Sequence, residues 1–346
     1  MENMEVDKKF WRNKRVLITG NTGFMGSWLY LWLSMLGANI RGYSLDKSFN
    51  KNLFNCFPTE LKSKTIFGDI RNYKKLKKII VDFKPEFVFH LAAQPYVSEG
   101  FKNPINTYEV NINGTLYLLD ILKNKSFCKF ILNVTSDKCY FNNDNSKNIF
   151  NENDKICGDD PYSNSKSCSE LLNHTYIKTI YSNQKIKLCS ARSGNVIGGG
   201  DRGTNRIFPD LMSHYFDNKK LNIRSINSTR PWQYILDLIK GYLVLAKKSY
   251  MVSNRDFSGP WNFSSDPKNH KSVRDLIEFL NREYKNIKYK KIKNPIKEKN
   301  YLHISNKKIK SILNFNYKYD FEDMLSESFS WYHFQSKNSK NKLYEF

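Results

Sequence analysis

The sequence predicts a doubly wound α/β fold, a parallel sheet with helices on both faces, followed by a smaller C-terminal domain. Three observations predict it. Short apolar runs of strand length alternate with longer stretches of helical spacing. A glycine cluster joins the first apolar run to the first helical stretch. The length, 346 residues, suits one large α/β unit or two smaller ones that share an interface.

In chain order, residues 1–13 are polar and read as frayed, and 15–19 (RVLIT) as a buried strand. After the glycine cluster an apolar helical stretch ends near Gly37, and residues 39–44 form a second strand. Residues 64–67 give a third strand, ended by Gly68-Asp69. Residues 73–83 have helical spacing with Lys on the outer face, and 86–90 (EFVFH) read as a fourth strand. A long helix is expected at 104–124, a fifth strand at 129–134 (KFILNV), a helix at 161–181 and a sixth strand at 185–191 (KIKLCSA). Beyond Arg192 the alternation degrades. Gly198-Gly199-Gly200 marks a loop, with helices expected at 206–216 and near 234–248. The expected division is therefore a doubly wound domain at 1–191 and a second, smaller domain at 192–346, some segments of which return to the first.

Composition narrows the function classes. The 56 basic residues against 33 acidic ones give a formal charge of +23, which taken alone suggests a polyanion partner. Only 12 of the basic residues are Arg and 44 are Lys, with Asn and Ile also abundant, a composition that AT-rich codons supply. Nucleic-acid readers favour the bidentate Arg fork, so the charge is read as solvated surface and no nucleic-acid partner is expected. The six cysteines form no C-x-x-C pair, which points to neither a zinc ribbon nor a redox motif, and no metal is expected. A reduced cytoplasmic setting follows. The apolar run at 28–36 (WLYLWLSML) falls short of the ~20 residues a membrane span needs, so neither a membrane partner nor an export signal is expected.

Residues 19–26 read T-G-x-x-G-x-x-G between a strand and a helix, the context in which such a pattern binds a dinucleotide. Gly20 allows the sharp turn, Gly23 brings backbone N–H groups near a pyrophosphate, and Gly26 lets helix and strand pack closely. Thr22, Phe24 and Met25 complete the loop as cofactor-binding candidates, and the helix N-terminus offers its positive dipole end to phosphate. Asp46, 20 residues beyond Gly26, is placed to accept from adenosine ribose hydroxyls and favour NAD over NADP; an exposed turn Asp is the alternative. Asp69-Ile70 follows the third strand, where an acid reaches an adenine edge. Leu91-Ala92-Ala93 follows the fourth, where small side chains let a cofactor approach the backbone.

Tyr162 and Lys166 form Y-x-x-x-K, which places both on one helix face. A neighbouring ammonium and a cationic nicotinamide would favour the phenolate and make Tyr162 a base near neutrality. Ser136, at the end of the fifth strand and 26 residues upstream of Tyr162, is placed to hold a substrate alcohol.

With these residues assembled, the sequence resembles the extended short-chain dehydrogenase/reductase family over nearly its whole length, and within it the nucleotide-sugar 4,6-dehydratases. The resemblance rests on residues 10–29 (FWRNKRVLITGNTGFMGSWL), 90–97 (HLAAQPYV), 135–140 (TSDKCY), 160–166 (DPYSNSK), 194–200 (GNVIGGG) and 230–234 (RPWQY), with Tyr301-Leu302 in the tail. In the dTDP-glucose branch the strand end reads T-D-E. Here it is Ser136-Asp137-Lys138, which resembles the CDP-glucose branch.

The resemblance implies a Rossmann-type domain with bound NAD and conversion of CDP-glucose to CDP-4-dehydro-6-deoxyglucose and water. The reaction oxidises C4, eliminates across C5–C6 and returns hydride to C6. Ser136, Tyr162 and Lys166 would serve oxidation, with Tyr162 and Lys166 also touching the cofactor. Asp137 would be the acid for water loss and Lys138 the C5 base, or else a phosphate contact. Arg192, Arg206 and Arg230 are candidates to grip the diphosphate, Arg206 and Arg230 being supported most, with Asn195 donating beside them. Gln94 is a further substrate-binding candidate, and Glu298 matches an acid that holds the nucleotide ribose. Protomers would pair through the two long helices as a homodimer or higher oligomer. Two other readings stand beside this one: an epimerase or dehydratase of a dTDP-, GDP- or UDP-linked sugar, and an inactive basic scaffold that binds nucleic acid.

Overall fold

The computed structural model describes residues 6–46, 52–144, 148–252, 257–292, 299 and 301–337. The six expected strands lie side by side: β1 (Arg15–Thr19), β2 (Asn39–Ser44), β3 (Thr65–Phe67), β4 (Phe87–His90), β5 (Phe130–Val134) and β6 (Lys187–Ser193). A seventh, β7 (Gly259–Phe263), comes from beyond residue 192 and pairs with β6. The order is β7-β6-β5-β4-β1-β2-β3, with every pairing parallel. All strands therefore end on one edge, and the winding reverses between β1 and β4, the place where such sheets bind ligands.

The period of two along each strand builds two cores. Val16, Ile18, Phe87, Phe89, Phe130 and Leu132 face one side, where helices Phe24–Met35 and Ile235–Met251 cover them. Leu17, Val88, Ile131 and Leu188 face the other, against Leu76 and Ile80 of helix Tyr73–Phe83 and Leu118 and Leu122 of helix Gly114–Leu122. Each such side chain, fully buried, contributes roughly 1.5–3 kcal/mol. Helix Tyr73–Phe83 is amphipathic because only one face meets the sheet. Asn72 caps its start, and it ends at Lys84, left-handed at φ +52°, before Pro85.

The sixth strand lies two residues later than expected at its start, and runs on to Ser193, because Arg192 is buried there in an ion pair with Glu170 at 2.9 Å. A charged residue that reads as a strand end is thus part of the strand. The long helix at 104–122 is split into Pro104–Tyr108, a π-helical turn Glu109–Asn113, and Gly114–Leu122. Within that turn Asn111 donates to Ser165 and to the Gln94 carbonyl and accepts from the Gln94 N–H, which ties the helix to the loop after β4. Helix Pro161–Thr175 likewise continues into a π turn, Tyr176–Ile180.

Beyond residue 192, helices Ile207–Phe216, Val273–Tyr284 and Phe321–Lys337 accompany short two-stranded ribbons. Phe208, Leu276, Leu280 and Trp331 of this region belong to the same hydrophobic cluster as Val16 and Phe89. Among the described residues no helix is long and apolar enough to cross a membrane.

Candidate active site

The glycine turn is built as its spacing requires. Gly20 has φ +73°, and a Cβ there would stand 2.7 Å from the Ala92 nitrogen and the Leu91 carbonyl carbon. A Cβ on Gly26 would stand 2.2 Å from the Gly20 oxygen, so neither position accepts a side chain. Gly23 caps helix Phe24–Met35 without a side-chain bond, which leaves the first N–H groups open at the strand edge. Phe24 and Met25 line a cavity of about 630 Å³, as do Leu91 and Ala93. Thr22, expected to touch a cofactor, instead points its hydroxyl into the protein. It lies 2.7 Å from the Ser44 hydroxyl and donates to the Leu45 carbonyl at 3.1 Å, which fastens the turn to the end of β2. Ala92 packs into the second core, and its N–H donates to Thr19 Oγ1 at 3.2 Å.

Asp46 is exposed just past β2, next to that anchor. Asp69 is half-buried, and Arg71 engages both its oxygens, at 3.0 Å from Nε and 2.7 Å from Nη2, which holds the carboxyl below the usual range. The Ile70 side chain belongs to the second core.

At the end of β5, Ser136 caps the short turn Asp137–Cys139 and accepts from the Lys138 N–H at 3.2 Å. Asp137 is 1% exposed. Its Oδ1 accepts from Ser136 Oγ at 3.2 Å and lies 3.5 Å from Lys138 Nζ. Its Oδ2 has no hydrogen-bond partner and faces Gly194, where a Cβ would come within 3.0 Å. A buried carboxylate oxygen without a partner, on a cavity wall, is ready to meet a ligand group. Asp160 caps the helix that carries Tyr162 and Lys166 by accepting from the Ser163 N–H at 3.0 Å. Ser136, Asp137, Lys138, Tyr162 and Lys166 all line the one cavity.

Burial pushes Tyr162 up to about 12; its bond with Ser136 and the Arg206 charge oppose this, while Asp137 and Asp160 add to it. Ser136 and Arg206, and not Lys166, are the groups that oppose burial at Tyr162 in the protein alone. Lys166 points at the strand end and donates to the Val134 carbonyl at 3.1 Å, and burial pulls it down to about 8 against Glu170 and Cys139.

Arg206 lies on the cavity wall, paired with Asp201 at 3.0 Å and over the Tyr96 ring at 5.4 Å. Arg230, also on the wall, donates to the Thr229 and Lys299 carbonyls at 2.9 and 2.8 Å. Asn195 joins them with its Oδ1 buried and unpartnered. Arg192 stands apart: its guanidinium is locked behind β5 by Glu170 and does not line the cavity, so it is no phosphate grip. Gln94 is also redirected. Its amide donates to Thr107 Oγ1 at 2.8 Å and to the Tyr96 carbonyl at 3.0 Å, stapling the loop after β4 instead of facing substrate. Glu298 lies outside the described residues, although its neighbour Lys299 lines the cavity. Sequence reasoning missed Asp201, which orients Arg206, and Asp210, a cavity carboxyl that burial pushes up to about 6. It also missed Glu170, whose one signal was its i+4 spacing from Lys166.

A family model described as GDP-mannose 4,6 dehydratase matches residues 17–328. The chain is 41% identical over 280 residues to a CDP-glucose 4,6-dehydratase of Salmonella typhimurium, covering 79% of this chain and 77% of that one. It is 33% identical over 248 residues to a dTDP-D-glucose 4,6-dehydratase of Dictyostelium discoideum, 68% of this chain and 56% of the relative. Among solved structures it is similar to an epimerase of Methanothermobacter thermautotrophicus, with a TM-score of 0.82 at 23% identity and 95% of each chain covered. The UDP-glucose 4-epimerase of Thermus thermophilus in complex with NAD gives 0.78 at 17% identity, over 92% of this chain and 99% of that one. These two likenesses speak for the shared fold. The matches in sequence reach further, and on them the chain belongs to the GDP-mannose 4,6 dehydratase family.

Proposed function

We propose that this protein is an NAD-dependent CDP-glucose 4,6-dehydratase that yields CDP-4-dehydro-6-deoxyglucose and water. The observation that carries the reading is Asp137, a buried carboxyl with one oxygen unpartnered, in the same cavity wall as Tyr162 and Lys138. Oxidation alone needs a base near O4; loss of water also needs an acid near C6. The 41% identical relative is named for the CDP-linked substrate and shares most of its length with this chain, which supports that nucleotide.

The residues fit a dinucleotide. At Gly20 and Gly26 backbone packs on backbone too closely for any Cβ, which brings the start of helix Phe24–Met35 to the strand edge, and the N–H groups beyond Gly23, without a side-chain cap, suit a pyrophosphate. Phe24, Met25, Leu91 and Ala93 would flank it, Asp46 would take the adenosine ribose, and Lys166 the nicotinamide ribose. When bound, NAD supplies a reversible hydride acceptor. Tyr162, with Ser136 beside it, takes the O4 proton. Lys138 takes the proton from C5, which the neighbouring ketone acidifies. Asp137 gives a proton to the departing C6 hydroxyl, which leaves as water. Arg206, Arg230 and Asn195 hold the diphosphate.

We further propose that two copies pair through helices 97–122 and 161–175, where Phe101, Ile105 and Leu171 are 52%, 75% and 55% exposed. A cytoplasmic setting is supported by six cysteines that stand as free thiols. The activity is tested by incubating the purified protein with NAD and, separately, CDP-, dTDP-, GDP- and UDP-glucose, and identifying products by mass spectrometry and NMR. A C4 epimer instead of a dehydrated sugar would replace the reading with an epimerase.

A further inference from the structure

Behind the catalytic strand end lies a buried polar network that the reaction steps above do not use. At its centre is Glu170, 4% exposed and one helical turn beyond Lys166. Its Oε1 accepts from Thr135 Oγ1 at 2.5 Å, and its Oε2 accepts from Ser190 Oγ at 2.7 Å and Arg192 Nη2 at 2.9 Å. Thr135 immediately precedes Ser136. Ser190 and Arg192 are two apart on β6 and so share one face. Arg192 in turn donates to the Tyr140 hydroxyl at 2.9 Å, and Tyr140 donates to Asn262 of β7 at 2.7 Å. One carboxylate thereby joins the helix of Tyr162 and Lys166 to the end of β5, and through Arg192 to the turn that follows.

Glu170 also stands four residues from Lys166 on the same helix, so the two share one helix face. The other titratable groups around that lysine are His90 at the end of β4, Cys139 in the turn after β5, and Tyr162 on its own helix. Burial keeps His90 down at about 3 and pushes the Cys139 thiol well above its ordinary range, so both are uncharged near neutrality. Glu170, paired with the Arg192 guanidinium at 2.9 Å, is the group that opposes the loss of the Lys166 proton.

We propose, on the dehydratase reading above, that Glu170 is a positioning residue: it clamps the Thr135–Ser136–Asp137–Lys138 strand end to the catalytic helix and holds the charge on Lys166. A merely structural ion pair would make no distinction between loss of its anion and loss of its cation. The proposal does. Titration of Lys166 in the cofactor-free protein, read by competitive acetylation and peptide mass spectrometry, should move down by roughly one pH unit or more in Glu170→Gln and up in Arg192→Gln. The alkaline limb of kcat should follow in the same directions. Titrations that stay in place, or that move the same way in both variants, would overturn the charge-holding role. Circular dichroism reports whether each variant folds. Thr135→Val removes an uncharged arm of the clamp, together with a 3.3 Å bond to the Ala191 carbonyl, and decides the positioning role even where the charge variants do not fold. It should lower kcat roughly 10- to 100-fold with the Lys166 titration unmoved, and a kcat within about twofold of the parent would refute the clamp. A parent protein that dehydrates no nucleotide sugar would instead overturn the reading on which the proposal rests, while the Lys166 titrations would still report on Glu170.

Discussion

Tyr162 and Asp137 line one cavity, yet their surroundings differ. Ser136 and Arg206 are the two groups that work against the upward push of burial on Tyr162. Removing its hydroxyl should cost roughly 10²–10⁴-fold in turnover; a Tyr162→Phe variant with near-parental kcat would remove it from the oxidation step. Asp137 keeps Oδ2 unpartnered, and Asn at that place preserves shape but delivers no proton. Asp137→Asn should therefore accumulate a 4-keto sugar that retains its 6-hydroxyl, with deuterium from solvent still entering C5. Lys138→Ala should slow that exchange, whereas exchange at the parental rate would make Lys138 a phosphate contact, marked by a raised KM at unchanged kcat. The pH dependence follows from Lys166, whose folded value of about 8 lies below its ordinary 10.5. Where catalysis needs the ammonium, kcat/KM should decline above about pH 8 in the free enzyme. Stability changes in the opposite sense: between those two values the unfolded chain binds more protons than the folded one, so this group's contribution rises with pH. A pH-rate profile and a pH series of denaturant melts check the two signs.

At the scale of elements, the turn between β1 and helix Phe24–Met35 makes the sharpest demand on sequence. Gly20→Ala meets both a φ of +73° and backbone atoms 2.7 Å from its Cβ, so it must displace the turn or the Leu91–Ala92 segment. It should lower the melting temperature by several degrees and abolish NAD binding, measured by calorimetry, and unaltered NAD affinity would exclude the turn as the pyrophosphate cradle. This element was legible in the sequence because its causes are local: an apolar run, three glycines at fixed spacing and a helix. That Ser136 and Tyr162 would share one cavity was legible for a similar reason, since both lie at the ends of regular elements that the sheet topology brings together. The side chains of Thr22, Gln94 and Arg192 turn away from where the sequence suggests because each bonds a partner distant in sequence. Ser44, Thr107 and Glu170 are those partners, and no spacing rule announces them. The seventh strand was unread for the same kind of reason: residues 259–263 become a strand only because β6 presents an edge for them.

Across the whole molecule, the sheet gathers its strand ends at one edge, and the chain beyond residue 192 folds over that edge to close a cavity of about 630 Å³. The formal charge of +23 comes mostly from Lys, and only weak duplex DNA binding without sequence preference is expected, falling steeply as salt rises. Light scattering should report a dimer, and Ile105→Asp, at a position 75% exposed, should shift it toward monomer without loss of fold. The central claim is that this cavity removes water from a CDP-linked glucose. The most direct test is product analysis after incubation of the purified protein with NAD and CDP-glucose beside dTDP-glucose. The expected result is a product lighter by one water from CDP-glucose, with a ketone at C4 and a methyl at C6 by NMR. Turnover of dTDP-glucose alone, or a product that retains its 6-hydroxyl, would contradict it.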